Sequence, residues 1–181
     1  VLSQLTRLRQ LSLAPVSVGV AAPSVKEDFI REWLENNPRE PVLIFSNFST
    51  YLRELQKSIP GSLIITGTNT PQEKQKAVEL FQGGKSNVLF ANIQAGGTGL
   101  TLDRAGTVIF LDRAYEPTLN AQAEDRLVAT TQESNQSALI IDLVCKDSVD
   151  EKINYMVKNK ISITKIVNDY KSVEDFINAK N

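Results

Sequence analysis

With 181 residues, 41% of them hydrophobic, and a formal net charge of −1, the chain has the size of one ordinary domain and the apolar content to fill its core. That balance excludes a uniformly basic nucleic-acid binder, so any phosphate contact has to come from a local face. The absence of histidine removes Ser-His-Asp and Cys-His nucleophile systems and histidine zinc sites, and the single cysteine, Cys145, permits neither an intrachain disulfide nor a thiolate cluster.

No apolar run is long enough to cross a bilayer, and no basic stretch followed by an apolar one opens the chain as a secretory signal. An intracellular, non-membrane protein is expected. Val1 stands where a full gene product would carry methionine, so the sequence reads as a segment of a longer protein.

In chain order, residues 1–23 contain Pro15, Gly19 and Pro23 and are expected to wrap or link. Ser24-Val-Lys-Glu27 has the form of a capping box and predicts a helix to about Asn37. The run Val42-Leu-Ile-Phe45 predicts a buried strand, and a helix follows from Ser49 or Thr50 with Leu52 and Leu55 on one face. Ser62–Ile65 is the second strand. Thr70-Pro-Gln-Glu73 combines a threonine cap, a proline at the first helical position and a glutamate that reaches back; its helix runs to Phe81 and stops at Gly83-Gly84. Strands at Val88–Ile93 and Val108–Leu111 come next. A helix after Pro117-Thr118, a strand at Ala138–Ile141 and a helix opened by Ser148-Val-Asp-Glu151 complete the series. Cys145, just after the apolar run Ala138–Val144, is expected as a buried, reduced thiol.

These strands are continuously apolar, not alternating, which predicts coverage on both faces and hence a parallel sheet. The expectation is an α/β, doubly wound layer with right-handed crossovers. It divides the chain into a lead-in over 1–23, a body over 24–147 and a helical extension over 148–181. The extension, with Ile153, Met156 and Val157, either packs back on the body or braces another domain.

Two stretches carry chemistry. Gln94-Ala-Gly-Gly-Thr-Gly-Leu-Thr-Leu102 leaves the carboxyl end of a predicted central strand, where open α/β sheets bind ligands. Its glycines let the backbone approach a phosphate or simply make a tight turn. In Asn120-Ala-Gln-Ala-Glu-Asp-Arg126, the positions Gln122, Arg126 and Ala129 share one helical face. No helical neighbour of Arg126 is a carboxylate, so its partner is either a tertiary one or a ligand. Gly84-Lys85-Ser86 imitates the end of a phosphate-binding P-loop, but Glu79 occupies the required glycine position and the segment precedes a strand where a P-loop follows one.

Taken together, the ordered segments resemble the second RecA-like lobe of Swi/Snf-type proteins in helicase superfamily two. Leu5-Thr-Arg-Leu-Arg-Gln-Leu11 with Pro15 resembles the family's lead-in, Val42–Phe48 its motif IV, Thr66–Thr70 with its helix the following segment, and Gln94–Leu102 its motif V. Asp112-Arg-Ala-Tyr-Glu-Pro117 is similar to Asp-x-x-Trp-Asn-Pro, Gln122-Ala-Glu-Asp-Arg126 to the start of motif VI, and Val149–Ile153 to the helix after the last strand. The resemblance covers nearly the whole chain.

It implies ATP in a cleft between two lobes, with phosphates and Mg2+ held mainly by the N-terminal lobe that is not in this sequence. Arg126 would be the arginine facing ATP, with Gln122, Asp125, Gly97 and Gly99 lining the cleft. Ser46, Asn47, Gly67, Thr68, Gln94, Gly96 and Thr98 would meet nucleic acid, with duplex DNA favoured and translocation more in keeping than strand separation. The fragment is expected to be a monomer with no ATP turnover of its own, since it has no Walker A loop. One departure stands out: Ala129 and Thr131 occupy the positions of motif VI's second arginine and its glycine, and only Gln132 returns to pattern. That keeps open a non-catalytic nucleic-acid-binding or regulatory module that kept the fold and lost the ATPase. An unrelated nucleotide or sugar-phosphate enzyme explains the sheet and the glycines but not the ordered motifs.

Overall fold

The computed structural model describes residues 2–96, 102–134 and 139–178, and within them the side chains of 126–134 and 165–167 fall outside the description. The elements run α1 (Leu2–Leu13), a 3-10 turn (Pro15–Val18), α2 (Val25–Asn36), β1 (Val42–Ser46), α3 (Ser49–Ser58), β2 (Leu63–Ile65), α4 (Pro71–Gln82) and β3 (Val88–Asn92). There follow α5 (Ile93–Gly96), β4 (Thr107–Phe110), α6 (Pro117–Ser134), β5 (Leu139–Asp142), α7 (Val149–Lys158), α8 (Ile163–Asp169) and α9 (Val173–Asn178).

The five described strands form one parallel sheet in the order β2-β3-β1-β4-β5. Continuous hydrophobicity has its physical reason in the register. Leu43 lies beside Leu89 and Val108, and these face α4 and α6; Ile44 lies beside Phe90 and Ile109, and these face α2 and α3. Successive side chains of β1 therefore serve opposite cores, and all five of its residues are buried. Phe45 stacks on Phe110 with centroids 5.3 Å apart at the centre of the α4–α6 side.

The edge strand β5 departs from the expected two-sided coverage: Leu139 is 52% and Ile140 38% exposed. The lead-in also departs from expectation. Residues 2–13 are a helix, not a wrapping segment, with Leu5 and Leu13 buried. Leu5 joins Val149, Ile153, Met156, Val173 and Phe176 in a third apolar cluster, so α1 and the C-terminal helices pack on each other. Lys26 of α2 ties α7 to the body, donating to Asp150 Oδ2 at 2.5 Å and to the Leu111 carbonyl at 2.6 Å.

The caps divide. The Thr70 box is complete, with Thr70 Oγ accepting from the Glu73 amide and Glu73 accepting from the Thr70 amide. The Ser24 box is half made: Ser24 Oγ accepts from the Glu27 amide, but the Glu27 carboxylate turns to Arg31 at 2.7 Å. Cys145 is half-buried, not fully, and its thiol donates to the Ser12 carbonyl; burial pushes its pKa up. The imitation P-loop is the turn after α4, where Gly84 has a φ of +72° and Arg104 donates to the carbonyls of Phe81 and Ser86. Among the described residues no helix is long and apolar enough to cross a membrane.

Candidate nucleotide and nucleic-acid interface

In a parallel sheet every carboxyl end opens on the same rim, which collects the turns after β1, β2, β3 and β4. From β1 the chain moves one way along the sheet to β2, and from β4 it moves the other way to β5. Their helices α3 and α6 lie on opposite faces, so a crevice is expected between the ends of β1 and β4.

That crevice is filled from within. Asp112, two residues past the end of β4, is 7% exposed, and Arg9 of α1, 3% exposed, pairs with its Oδ1 at 2.9 Å. Asn47 donates to the same oxygen from its amide (3.2 Å) and its Nδ2 (2.7 Å), and the Ser46 hydroxyl donates to Oδ2. Arg9 also donates to the Arg113 carbonyl and lies over the rings of Tyr115 (4.4 Å) and Phe48 (5.5 Å). Asn92, ending β3, donates to the carbonyls of Ser46 (3.2 Å) and Asn47 (2.9 Å).

A second set of contacts leads from Asp112 to α6. Asn120 accepts from the Ala114 amide and donates to the Ala114 carbonyl, each at 2.8 Å. Arg113 lies over Phe110 at 3.6 Å, donates to Asp142 at 2.5 Å and pairs with Glu124 of α6. The helix thus enters along a fixed line.

On the far side of the rim, the turn after β2 is knitted by Thr66 and Asn69. The Thr66 amide donates to Asn69 Oδ1 at 2.7 Å, and its hydroxyl does so at 2.9 Å. Arg53 of α3 donates to the hydroxyls of Thr66 (2.8 Å) and Thr68.

The sequence-predicted residues distribute as follows. Gly67, Thr68 and Gln94 are exposed on the rim, and Gly96 ends α5 beside it. Asn47 is half-buried, with its amide and Nδ2 committed to Asp112; Ser46 is buried, with its hydroxyl committed likewise, so neither offers these donors outward. Gln122 and Asp125 are exposed on α6. Gly97, Thr98 and Gly99 lie outside the described residues, as does the Arg126 side chain, whose backbone belongs to α6. Among the described residues no group of three or more potential ligands is arranged for a metal ion.

Against known proteins, residues 25–130 match the helicase conserved C-terminal domain. That stretch is more than half of the chain and runs from α2 into α6. The chain belongs to this family, as the second lobe of a Swi/Snf-type helicase. The lobe is 30% identical over 167 residues to the ATP-dependent helicase FUN30 of Saccharomyces cerevisiae, covering 87% of the lobe and 14% of that protein. It is 36% identical over 137 residues to Protein CHROMATIN REMODELING 24 of Arabidopsis thaliana, covering 72% of the lobe and 12% of the relative. The C-terminal part of the FUN30 ATPase domain superposes with a TM-score of 0.64 and 28% identity, over 78% of the lobe and 47% of that chain. The Sulfolobus solfataricus SWI2/SNF2 ATPase C-terminal domain gives 0.69 over 97% and 74%; at 21% identity that likeness is one of fold. The lobe thus spans only about one fifth or less of the lengths of the curated relatives it matches.

Sequence reasoning missed four residues of this lobe: Arg9, Arg113, Arg53 and the acceptor role of Asp112. Asp112 and Arg113 carried two signals, a charged pair directly after a buried strand and the start of the segment that resembles Asp-x-x-Trp-Asn-Pro. Arg9 carried one as well, its place in the lead-in Leu5–Leu11 that resembles the family's, but nothing in that stretch pointed to Asp112.

Proposed function

We propose that this lobe is half of a nucleic-acid-stimulated ATPase that moves along duplex DNA. It supplies motif V and motif VI groups to ATP held mainly, with Mg2+, by an N-terminal lobe of the same protein. The observation that carries the reading is the shared rim: the turns at 46–50 and 66–70, Gln94 and the entry of α6 all lie at carboxyl ends of parallel strands. A single surface can then meet both nucleotide and nucleic-acid backbone.

In this reading Arg126 reaches the terminal phosphate and neutralises charge that builds up as the phosphoryl group transfers. Gln122 and Asp125, exposed on the same helix, line the cleft with Gly97 and Gly99. Gly67, Thr68, Gln94, Gly96 and Thr98 face nucleic acid. Of the first turn, the Ser46 hydroxyl and the Asn47 amide are engaged by Asp112, the Phe48 amide by Ser46 and the two carbonyls by Asn92, which leaves the amides of Ser49 and Thr50 at the start of α3 for contact. Phosphate contact of this kind carries no sequence readout.

The test is ATP turnover with duplex DNA. The lobe alone is expected to show none, and the two-lobe protein is expected to lose on the order of 10³-fold with Arg126→Ala. Turnover by the pure lobe, or an unaffected two-lobe variant, overturns the assignment. Ala129 and Thr131 favour a second reading, a module that binds without hydrolysis. Ala129→Arg separates the two: a motor short of one arginine gains rate, whereas a binding module stays silent.

A further inference from the structure

We propose that Arg9 is a positioning residue for the arginine-bearing helix α6. Arg9 sits on α1, outside the strands and helices that build the rim, yet its guanidinium is buried where the sheet topology opens its crevice. Burying a guanidinium is costly unless its charge and donors are matched. Here they are matched by one short segment, 112–115: the Asp112 carboxylate, the Arg113 carbonyl and the Tyr115 ring.

The same segment holds α6. Ala114 clamps Asn120 with two 2.8 Å bonds, and Arg113 pairs with Glu124 one turn further on. Both α6 contacts therefore hang on a turn that Arg9 fixes from the other side. Without Arg9, Asp112 keeps its neutral donors from Ser46 and Asn47 but loses its ion-pair partner, and the Arg113 carbonyl loses a donor. The turn then loosens, and α6 loosens with it. The apolar anchoring of α1 is a separate matter, carried by Leu5 and Leu13. Only the step from α6 to turnover rests on the function proposed for Arg126.

Hydrogen exchange on this chain tests the claim. With Arg9→Met, amides 121–125 of α6 are expected to exchange on the order of tenfold faster in excess of any acceleration shared by the amides of 43–45 and 108–110 in the sheet, which report the global loss of stability. Arg9→Lys, which keeps the charge but not the fork, falls between. Should Arg9→Met melt the whole lobe, Arg9→Met with Asp112→Asn removes both charges and keeps the experiment readable; acceleration confined to 121–125 supports positioning there too. Unchanged exchange at 121–125, or equal acceleration in sheet and helix in both variants, overturns it. In the two-lobe protein, Arg9→Met is expected to lower kcat by roughly ten- to a hundredfold with KM for ATP little changed, and Arg9→Lys to recover part. If exchange responds and kcat does not, positioning stands and the assignment of Arg126 to ATP falls.

Discussion

Arg53 stands on the second turn of α3 and spans to the turn after β2, where its Nη2 bonds the hydroxyls of Thr66 and Thr68. A guanidinium carries five donors, and both bonds leave from one nitrogen. Its charge therefore lies beside Gly67 and Thr68, two exposed residues of the face proposed above to meet nucleic acid. If that face meets a phosphate, the cation contributes by counterion release, and each such contact adds about 0.9 to the slope of log affinity against log salt. Arg53→Ala in the two-lobe protein is expected to lower that slope by about one and to weaken binding alike for all sequences; filter binding over a salt series reads both. An unchanged slope would leave Arg53 as a brace for the turn.

Tyr51 shows what burial does to a titrating group here. It is 8% exposed, and its pKa is pushed from 10.0 up to about 12, mainly because burial disfavours the phenolate, with the hydrogen bond between Tyr51 and Ser24 acting in the opposite direction. The folded value lies above the unfolded one, so the contribution is complete below pH 10 and is lost as pH rises from about 10 to about 12. Alkaline denaturation is expected to be steeper for the parent than for Tyr51→Phe, by up to roughly 2 to 3 kcal/mol. Parallel stability curves from pH 9 to 12 would contradict this.

At the scale of elements, α4 is the cleanest case, because its start is written in four residues. Thr70→Ala deletes the acceptor for the Glu73 amide and is expected to cost about 1 kcal/mol by denaturant titration. Glu73 is held below the ordinary 4.5, first by its bond from the Thr70 amide. A depressed carboxylate pKa means its contribution is present above pH 4.5 and lost as pH falls below it. The parent's advantage over Glu73→Gln should therefore disappear on acidification; a gap that persists at low pH would show the box does not depend on charge. Caps and buried strands were legible because both are local: four residues at a helix start, four or five apolar residues in a row. The Ser24 box has the same letters but is half made, since Arg31 sits one turn on and competes for Glu27. What could not be read were pairings across the chain. Arg9 and Asp112 are 103 residues apart, and Lys26 and Asp150 are 124 apart. Such ion pairs leave no periodicity, and no spacing rule connects their members. The exposed face of β5 was equally invisible, since an apolar edge strand and an apolar core strand look the same in sequence.

For the whole molecule, the family match begins at residue 25, but the packing begins earlier. Leu5 closes the cluster made by α7 and α9, Leu13 closes the one under α2 and α3, and Arg9 fills the crevice between β1 and β4. Burial of the two leucines contributes roughly 1.5 to 3 kcal/mol each. Removing Arg9 leaves a buried carboxylate without its partner, worth about 3 to 5 kcal/mol. Against a total of about 5 to 15 kcal/mol for a domain, a chain starting at Ala14 is expected to lose most of its stability. Guanidinium denaturation followed by Trp33, which packs on the α2–α3 core, reports it. The expected result is a much lower midpoint or no cooperative transition at all. Adding Asp112→Asn to the truncated chain removes the orphaned charge and should restore part of the loss. A truncated chain with the parent's midpoint and slope would mean that α1 leans on the lobe without holding it, and that the crevice charge tolerates water.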